Sequence, residues 1–202
     1  MREGGGTGKA GGGEASTSDI VCEFLEAAVH TALRVKGVYP AEVFERRRLY
    51  NVAVSRSRHP GLNTYIKETV FSLKPWIVQK KLEKLTLVFY EAGSDKVIER
   101  LVFSVKILRE IEAGSLETFE DLEHMLRAFI LKIQVTDPLK EGSRFELLAY
   151  SRSRQDDNTV WVMEDASSGR VGAGEPKIVP IKSLSSDFLR IQLYSEIPPE
   201  TT

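Results

Sequence analysis

The chain has 202 residues, 42% of them hydrophobic, with 28 Lys and Arg against 29 Asp and Glu and a formal net charge of -1. That length suits one domain, or at most two small ones, with a sizeable core, and the charge balance excludes a protein held to nucleic acid by bulk positive charge, though not a local basic patch. The single cysteine, Cys22, excludes an intramolecular disulfide framework and any multi-cysteine zinc site, and a lone thiol fits a reducing compartment. No apolar run reaches the roughly 18 to 20 residues of a membrane span, and no apolar block of the signal-peptide kind stands at the start. The expectation is a soluble intracellular α+β domain with no membrane partner.

The first fourteen residues hold seven of the fifteen glycines. Such a segment cannot offset its ordering entropy by burial, so residues 1–15 are expected to be a disordered tail. Gly6-Thr7-Gly8-Lys9-Ala10-Gly11 matches a dinucleotide fingerprint in form only, because that motif works between a strand and a helix and no strand can precede residue 6. A P-loop fails as well, since Glu3 and Ala10 stand at required positions.

Order is expected from residue 16. Ile20, Val21, Phe24, Leu25, Ala28, Val29, Ala32 and Leu33 recur at helical spacing, with Ser18 or Asp19 as the cap and Gly37 as the stop. Cys22 lies beside this stripe and reads as a small buried hydrophobe rather than a reactive thiol. Residues 43–54 read as irregular or short-strand and carry Arg46-Arg47-Arg48. Pro60 opens a second helix with Leu62, Tyr65, Ile66, Thr69, Val70, Leu73, Trp76 and Ile77 on its face, and Pro75 should kink or end it.

Leu85 to Tyr90 and Val97 to Ile107 are strand-like runs around the turn Ala92-Gly93-Ser94-Asp95, so a hairpin is predicted. A third helix follows over roughly 115–135, faced by Leu116, Phe119, Leu122, Leu126, Phe129, Ile130 and Ile133. Ser115 is a cap candidate, and Thr118 stands three residues before Asp121. The remainder reads as strands at Phe145–Tyr150, Thr159–Met163, Ile178–Ile181 and Leu189–Tyr194, with a polar, glycine-containing loop at 164–175 expected to be mobile and a flexible end at 198–202. Three helices and five or six strands make an α+β domain.

Catalytic signals are absent from the sequence. His30, His59 and His124 have no partner at metal-ligand spacing, no G-x-S-x-G elbow is present, and the pairs Asp156-Asp157 and Glu164-Asp165 lack a calcium-loop spacing. No enzyme, metal or cofactor is expected. The arginines at 46–48, at 56 and 58, and at 152 and 154 could touch phosphates, an acidic partner or a nuclear-import receptor. They read better as solvated faces, and few aromatics interleave with them, so no strong nucleic-acid binding is expected.

An ordered set of strings carries a resemblance. Cys22-Glu23-Phe24-Leu25-Glu26 is followed by Val38-Tyr39-Pro40, Phe44, Tyr50-Asn51-Val52, His59-Pro60, Leu62-Asn63 and Tyr65-Ile66. Leu126 to Ile133, Pro180-Ile181-Lys182, Ser186-Asp187 and Gln192-Leu193-Tyr194 come later in the same order. From about residue 18 to 195 the chain resembles the HORMA-domain family, and within it the branch that serves translesion DNA polymerase zeta as its accessory, non-catalytic subunit.

The resemblance implies three helices on a central, mainly antiparallel sheet over residues 16–197. It also implies a C-terminal safety belt, about 151–197, that holds a partner's closure peptide against a sheet edge. The implied partners are the catalytic subunit of the polymerase, through that peptide, and the C-terminal domain of the scaffold translesion polymerase. A HORMA homo- or heterodimer is also implied, as is a place in the nucleus with some presence in the cytoplasm. Spindle-checkpoint, cell-cycle and shieldin-type partners remain open as alternatives, because they reuse one pocket.

Residue by residue, the resemblance assigns Tyr65 to the closure peptide, although on spacing alone Tyr65 is an ordinary helix-face aromatic. Trp161 is either the belt tryptophan on the same peptide or a strand core residue. Ile178, Gln192 and Tyr194 fall to the scaffold polymerase, and alternation puts Gln192 and Tyr194 on one strand face with Leu193 buried behind them. Arg127 falls to dimerisation, or is a solvated arginine beside Glu123.

Overall fold

The computed structural model describes residues 16–111, 118–151, 161 and 175–199. The expected glycine tail, Ser115, the ends of the expected strand at 159–163 and residues 200–202 lie outside these.

Helix α1 (Thr17–Val35) runs through the centre of the molecule, and both faces of it are largely buried. Its cap is Ser16, two residues before the expected Ser18 and three before Asp19. The Asp19 amide donates to Ser16 Oγ at 3.2 Å and the Ser16 amide donates back to Asp19 Oδ2 at 3.2 Å, a reciprocal capping box. Gly37 ends the helix at φ +71°, where only glycine is unstrained. The Gly37 amide reaches the Arg34 carbonyl and the Val38 amide the Leu33 carbonyl, which satisfies the last carbonyls.

The segment expected to be irregular or short-strand is a hairpin, β1 (Phe44–Leu49) with β2 (Val52–Ser57), and it raises the strand count to seven among the described residues. Tyr50 and Asn51 turn it with φ of 48° and 58°. Helix α2 (Pro60–Phe71) starts at the expected proline, with His59 Nδ1 accepting the Leu62 amide at 3.3 Å. Pro75 does divide the helical pattern, and it sits in the first turn of a separate five-residue helix, α3 (Lys74–Val78).

Strands β3 (Leu82–Tyr90) and β4 (Val97–Ile107) form the predicted hairpin. Helix α4 (Phe119–Ile133) begins at the cap Thr118, whose capping box with Asp121 sets the start later than the expected residue 115. Strands β5 (Arg144–Ser151), β6 (Lys177–Ser185) and β7 (Leu189–Ile197) complete a five-stranded antiparallel sheet of order β5-β3-β4-β7-β6. Trp161 itself is not in a strand, and it is partly buried against the core.

One sheet face carries Leu85, Leu87, Phe89, Leu101, Phe103, Val105, Leu147, Ile191 and Leu193, all buried in one core with α1 and the α4 stripe Leu122, Leu126, Phe129, Ile130 and Ile133. Phe24 stands at its middle, edge-on to Phe103 at 6.4 Å and to Phe129 at 5.9 Å. Three helices of 19, 12 and 15 residues thus pack with an antiparallel sheet, the α+β architecture anticipated above.

Candidate functional site

A five-stranded open sheet has two outer strands, here β5 and β6, and among the described residues neither has a strand partner on its outer side. An unpaired edge presents a row of backbone donors and acceptors that can take up another extended segment. The two edges differ in chemistry. Strand β6 carries Pro180, a register break between Pro180 and Lys182, and Lys177 and Lys182 beside them. Proline, a bulge and lysines are the devices that discourage strand addition. Strand β5 (RFELLAYS) has neither proline nor glycine, and its pairing with β3 is regular from Lys84 to Tyr90. The receptive edge is therefore β5.

The surroundings of β5 are aromatic. Phe145 is half-buried and meets Tyr65 of α2 edge-on at 6.1 Å and Tyr39 at 6.2 Å. Tyr65 is 44% exposed although its neighbours Ile66, Thr69 and Val70 are buried, so its ring covers the strand end rather than the core. Burial pushes the Tyr65 phenol up, and the Glu146 carboxylate on β5 adds to this.

Further along the same helical run, Trp161 donates to Ser72 Oγ at 2.7 Å and its ring lies 6.2 Å from that of Trp76 on α3. Seven residues of helix separate Tyr65 from Ser72, about 10 Å, which corresponds to about three residues of an extended guest. Tyr65 and Trp161 are thus both placed along the α2–α3 run, one at Phe145 and the other at Ser72 and Trp76. Sequence reasoning singled out these two but not Tyr39, Ser72 or Phe145, none of which shows a motif, and placed Trp76 only on a helix face.

Strands β5 and β6 lie at opposite edges of the sheet, and β5 ends at the end of the sheet where β3 begins, whereas β6 begins beside the end of β7. The β6–β7 hairpin carries the second group of candidate residues. Ile178 stands opposite Glu196, Pro180 opposite Tyr194 and Ser183 opposite Gln192. Directly opposed residues share a face, so Ile178, Gln192 and Tyr194 lie together on the side of the sheet away from the helices. Ile178 is 59% exposed, Gln192 is exposed and Tyr194 is half-buried, while Leu193 is buried behind them. Arg127 is on α4, half-buried and off the core stripe, on the helix that also exposes Leu131.

The remaining chemistry is structural. Burial pushes the Cys22 thiol up to about 12 and holds His30 down at about 4, and the His59 ring caps α2. Among the described residues no three His, Cys, Asp or Glu side chains converge as metal ligands.

An open strand edge flanked by aromatic groups defines an interaction module. The HORMA-domain family model matches residues 17–170, and the chain belongs to that family; it is a HORMA adaptor. It is similar to the zebrafish mitotic spindle assembly checkpoint protein MAD2B, with 37% identity over 89% of this chain and 90% of that protein. The human MAD2B is 34% identical over the same shares, and the Arabidopsis thaliana DNA polymerase zeta processivity subunit is 34% identical over 87% of this chain and 83% of that protein. Among solved structures, a chain of the mitotic checkpoint complex superposes with a TM-score of 0.76 at 28% identity, covering 91% of this chain and 99% of that one. Caenorhabditis elegans HTP-2 bound to the HIM-3 closure motif shares the fold, with a TM-score of 0.69 at 14% identity over 90% of this chain and 89% of that one.

Proposed function

We propose that the chain captures an extended segment of a partner as an additional strand on β5, with Tyr65 and Trp161 closing over it. The observation that carries this reading is the contrast between the sheet's two edges: β6 carries Pro180 and a bulge within the strand, and β5 has no proline, pairs regularly with β3 from Lys84 to Tyr90 and is flanked by aromatic rings. Main-chain hydrogen bonds to the edge supply affinity in such an arrangement, and the flanking side chains supply selectivity.

The identity of 34% to the Arabidopsis polymerase zeta processivity subunit, against 29% to the fission yeast checkpoint component mad2, supports translesion DNA synthesis as the setting. In that setting the captured segment belongs to the catalytic subunit of polymerase zeta, and the chain acts in the nucleus. The exposed face of Ile178, Gln192 and Tyr194 then bridges to the C-terminal domain of the scaffold translesion polymerase, and Arg127 serves contact with a second HORMA domain. The MAD2B relatives carry a spindle-checkpoint name, which supports a second reading in which the captured segment belongs to an anaphase regulator.

The test is affinity purification of the full chain with mapping of the protected partner peptide, repeated with Tyr65→Ala and Tyr194→Ala. Tyr65→Ala is expected to lose the peptide while keeping the scaffold polymerase, and Tyr194→Ala the converse. Equal loss of both partners in both variants would overturn the two-surface arrangement, and recovery of anaphase regulators without polymerase subunits would move the setting to the checkpoint.

A further inference from the structure

Lys36 and Glu99 form a buried ion pair in the core. Lys36, the C-terminal cap of α1, is 4% exposed in its side chain, and Glu99 on β4 is 10% exposed. Lys36 Nζ donates to Glu99 Oε1 at 2.9 Å, to Glu99 Oε2 at 2.7 Å and to the Asp137 carbonyl at 3.0 Å, so all three of its protons are used. The Ser195 hydroxyl of β7 donates to Glu99 Oε1. The ion pair thereby ties together the end of α1, β4, the segment after α4 and the C-terminal hairpin. A buried pair of this kind contributes little net stability, because removing both charges from water costs about as much as their attraction returns. Its use has to be sought in what it distinguishes.

What it distinguishes is register. Strand β7 docks on β4 with Leu189, Ile191, Leu193 and Ser195 facing the core, and Ser195 is the polar member of that row. A slip of β7 by two residues keeps every side chain on its proper face, so alternation alone does not prevent it. The slipped registers put Leu193 or Ile197 opposite Leu101, where Ser195 now stands, and leave Glu99 facing methyl groups. They also carry Tyr194 from its place opposite Val102 to one opposite Arg100 or Ser104.

We infer that Lys36 and Glu99, acting through the Ser195 hydroxyl, are positioning residues that set the register of the C-terminal hairpin and so the placement of the surface formed by Ile178, Gln192 and Tyr194. The inference rests on the proposed function only for the use made of that surface, since the register is a property of the chain alone.

The experiment is amide hydrogen exchange and cross-strand NOE measurement on the full chain carrying Ser195→Val, with Ser195→Thr as the conservative rescue. Loss of one hydrogen bond to a buried charge is expected to speed exchange across residues 189–197 by about tenfold or more, while residues 85–89 of β3 stay protected. NOEs between residues 102 and 194 are expected to weaken as contacts from 194 to 100 or 104 appear, and Ser195→Thr is expected to restore the native pattern. In a Glu99→Gln background the further effect of Ser195→Val is expected to fall away, the mark of two residues acting as one unit. Unchanged exchange and NOEs in Ser195→Val, or additive effects with Glu99→Gln, would overturn the inference. A native register readout that responds as described, in a chain that captures no partner, would count against the proposed function and leave the register device standing.

Discussion

Trp161 donates its indole proton to Ser72 Oγ at 2.7 Å, and Ser72 Oγ donates in turn to the Thr69 carbonyl at 2.7 Å. The relay fastens Trp161, in the chain beyond β5, to the end of α2. Trp161 also lies against Trp76, so a polar and an apolar contact act at one point.

Removing that fastening should affect retention of a bound segment more than folding, because Trp161 lies at the rim of the core and is only partly buried. Trp161→Ala is expected to speed release of a captured peptide by about tenfold or more, and Trp161→Phe, which keeps a ring but lacks the N–H, by less. A fluorescence chase with excess unlabelled peptide measures this. A thermal midpoint that falls as steeply as retention would mean that Trp161 serves the fold instead.

Phe24 has the opposite character. It is fully buried, and its ring contacts join α1 to β4 through Phe103 and to α4 through Phe129. Phe24→Ala is expected to cost about 3–5 kcal/mol, because it removes transfer energy and leaves a cavity between three elements. For a chain of this size that corresponds to a fall of about 10 °C in the thermal midpoint, read by calorimetry.

How much of this was legible in the sequence depended on the range of the determining interactions. The stripe of α1 and the Thr118–Asp121 spacing are local and visible, and so is the alternation of Gln192, Leu193 and Tyr194. The β1–β2 hairpin was legible only as irregular or short strand, because its turn uses Tyr50 and Asn51 rather than glycine, and because Arg46, Arg47 and Arg48 are all exposed and mask the alternation. The start of α1 was misplaced because Asp19 looks like a cap yet serves as the third residue of the capping box. The aromatic rim of Tyr39, Tyr65 and Phe145 brings together three distant segments, and the Lys36–Glu99–Ser195 cluster spans 63 and 96 residues of sequence, so no local pattern announces either.

The buried thiol offers a reporter of opening. Cys22 is completely buried, and burial, with the nearby Asp19 carboxylate adding to it, pushes its thiol up to about 12. Since the thiolate is the reactive form, a disulfide reagent at pH 8 is expected to leave the folded chain unmodified and to react only as α1 is exposed. The labelling rate should rise with denaturant in parallel with global unfolding. Rapid labelling in the absence of denaturant would show that α1 opens locally.

His30 makes stability depend on pH in a defined window. It is 1% exposed on α1, where Nδ1 accepts the Ser57 amide at 3.4 Å and, among the described residues, Nε2 has no hydrogen-bond partner. Burial first, then the Arg56 charge, lowers its pKa from 6.5 to about 4, so the folded chain holds a neutral ring where the unfolded chain takes up a proton. Stability from this source is complete above pH 6.5, declines as the pH falls toward 4, and is gone below it, a loss of up to about 3 kcal/mol. Glu23 and Glu26, whose carboxyls burial pushes up, act in the other direction and flatten the curve at its acid end. Denaturant midpoints measured between pH 7.5 and 4 should therefore fall steadily for the natural chain. In His30→Gln, which has no proton to bind here, the decline between pH 6.5 and 5 should largely disappear, and an unaltered decline would assign the effect to other groups.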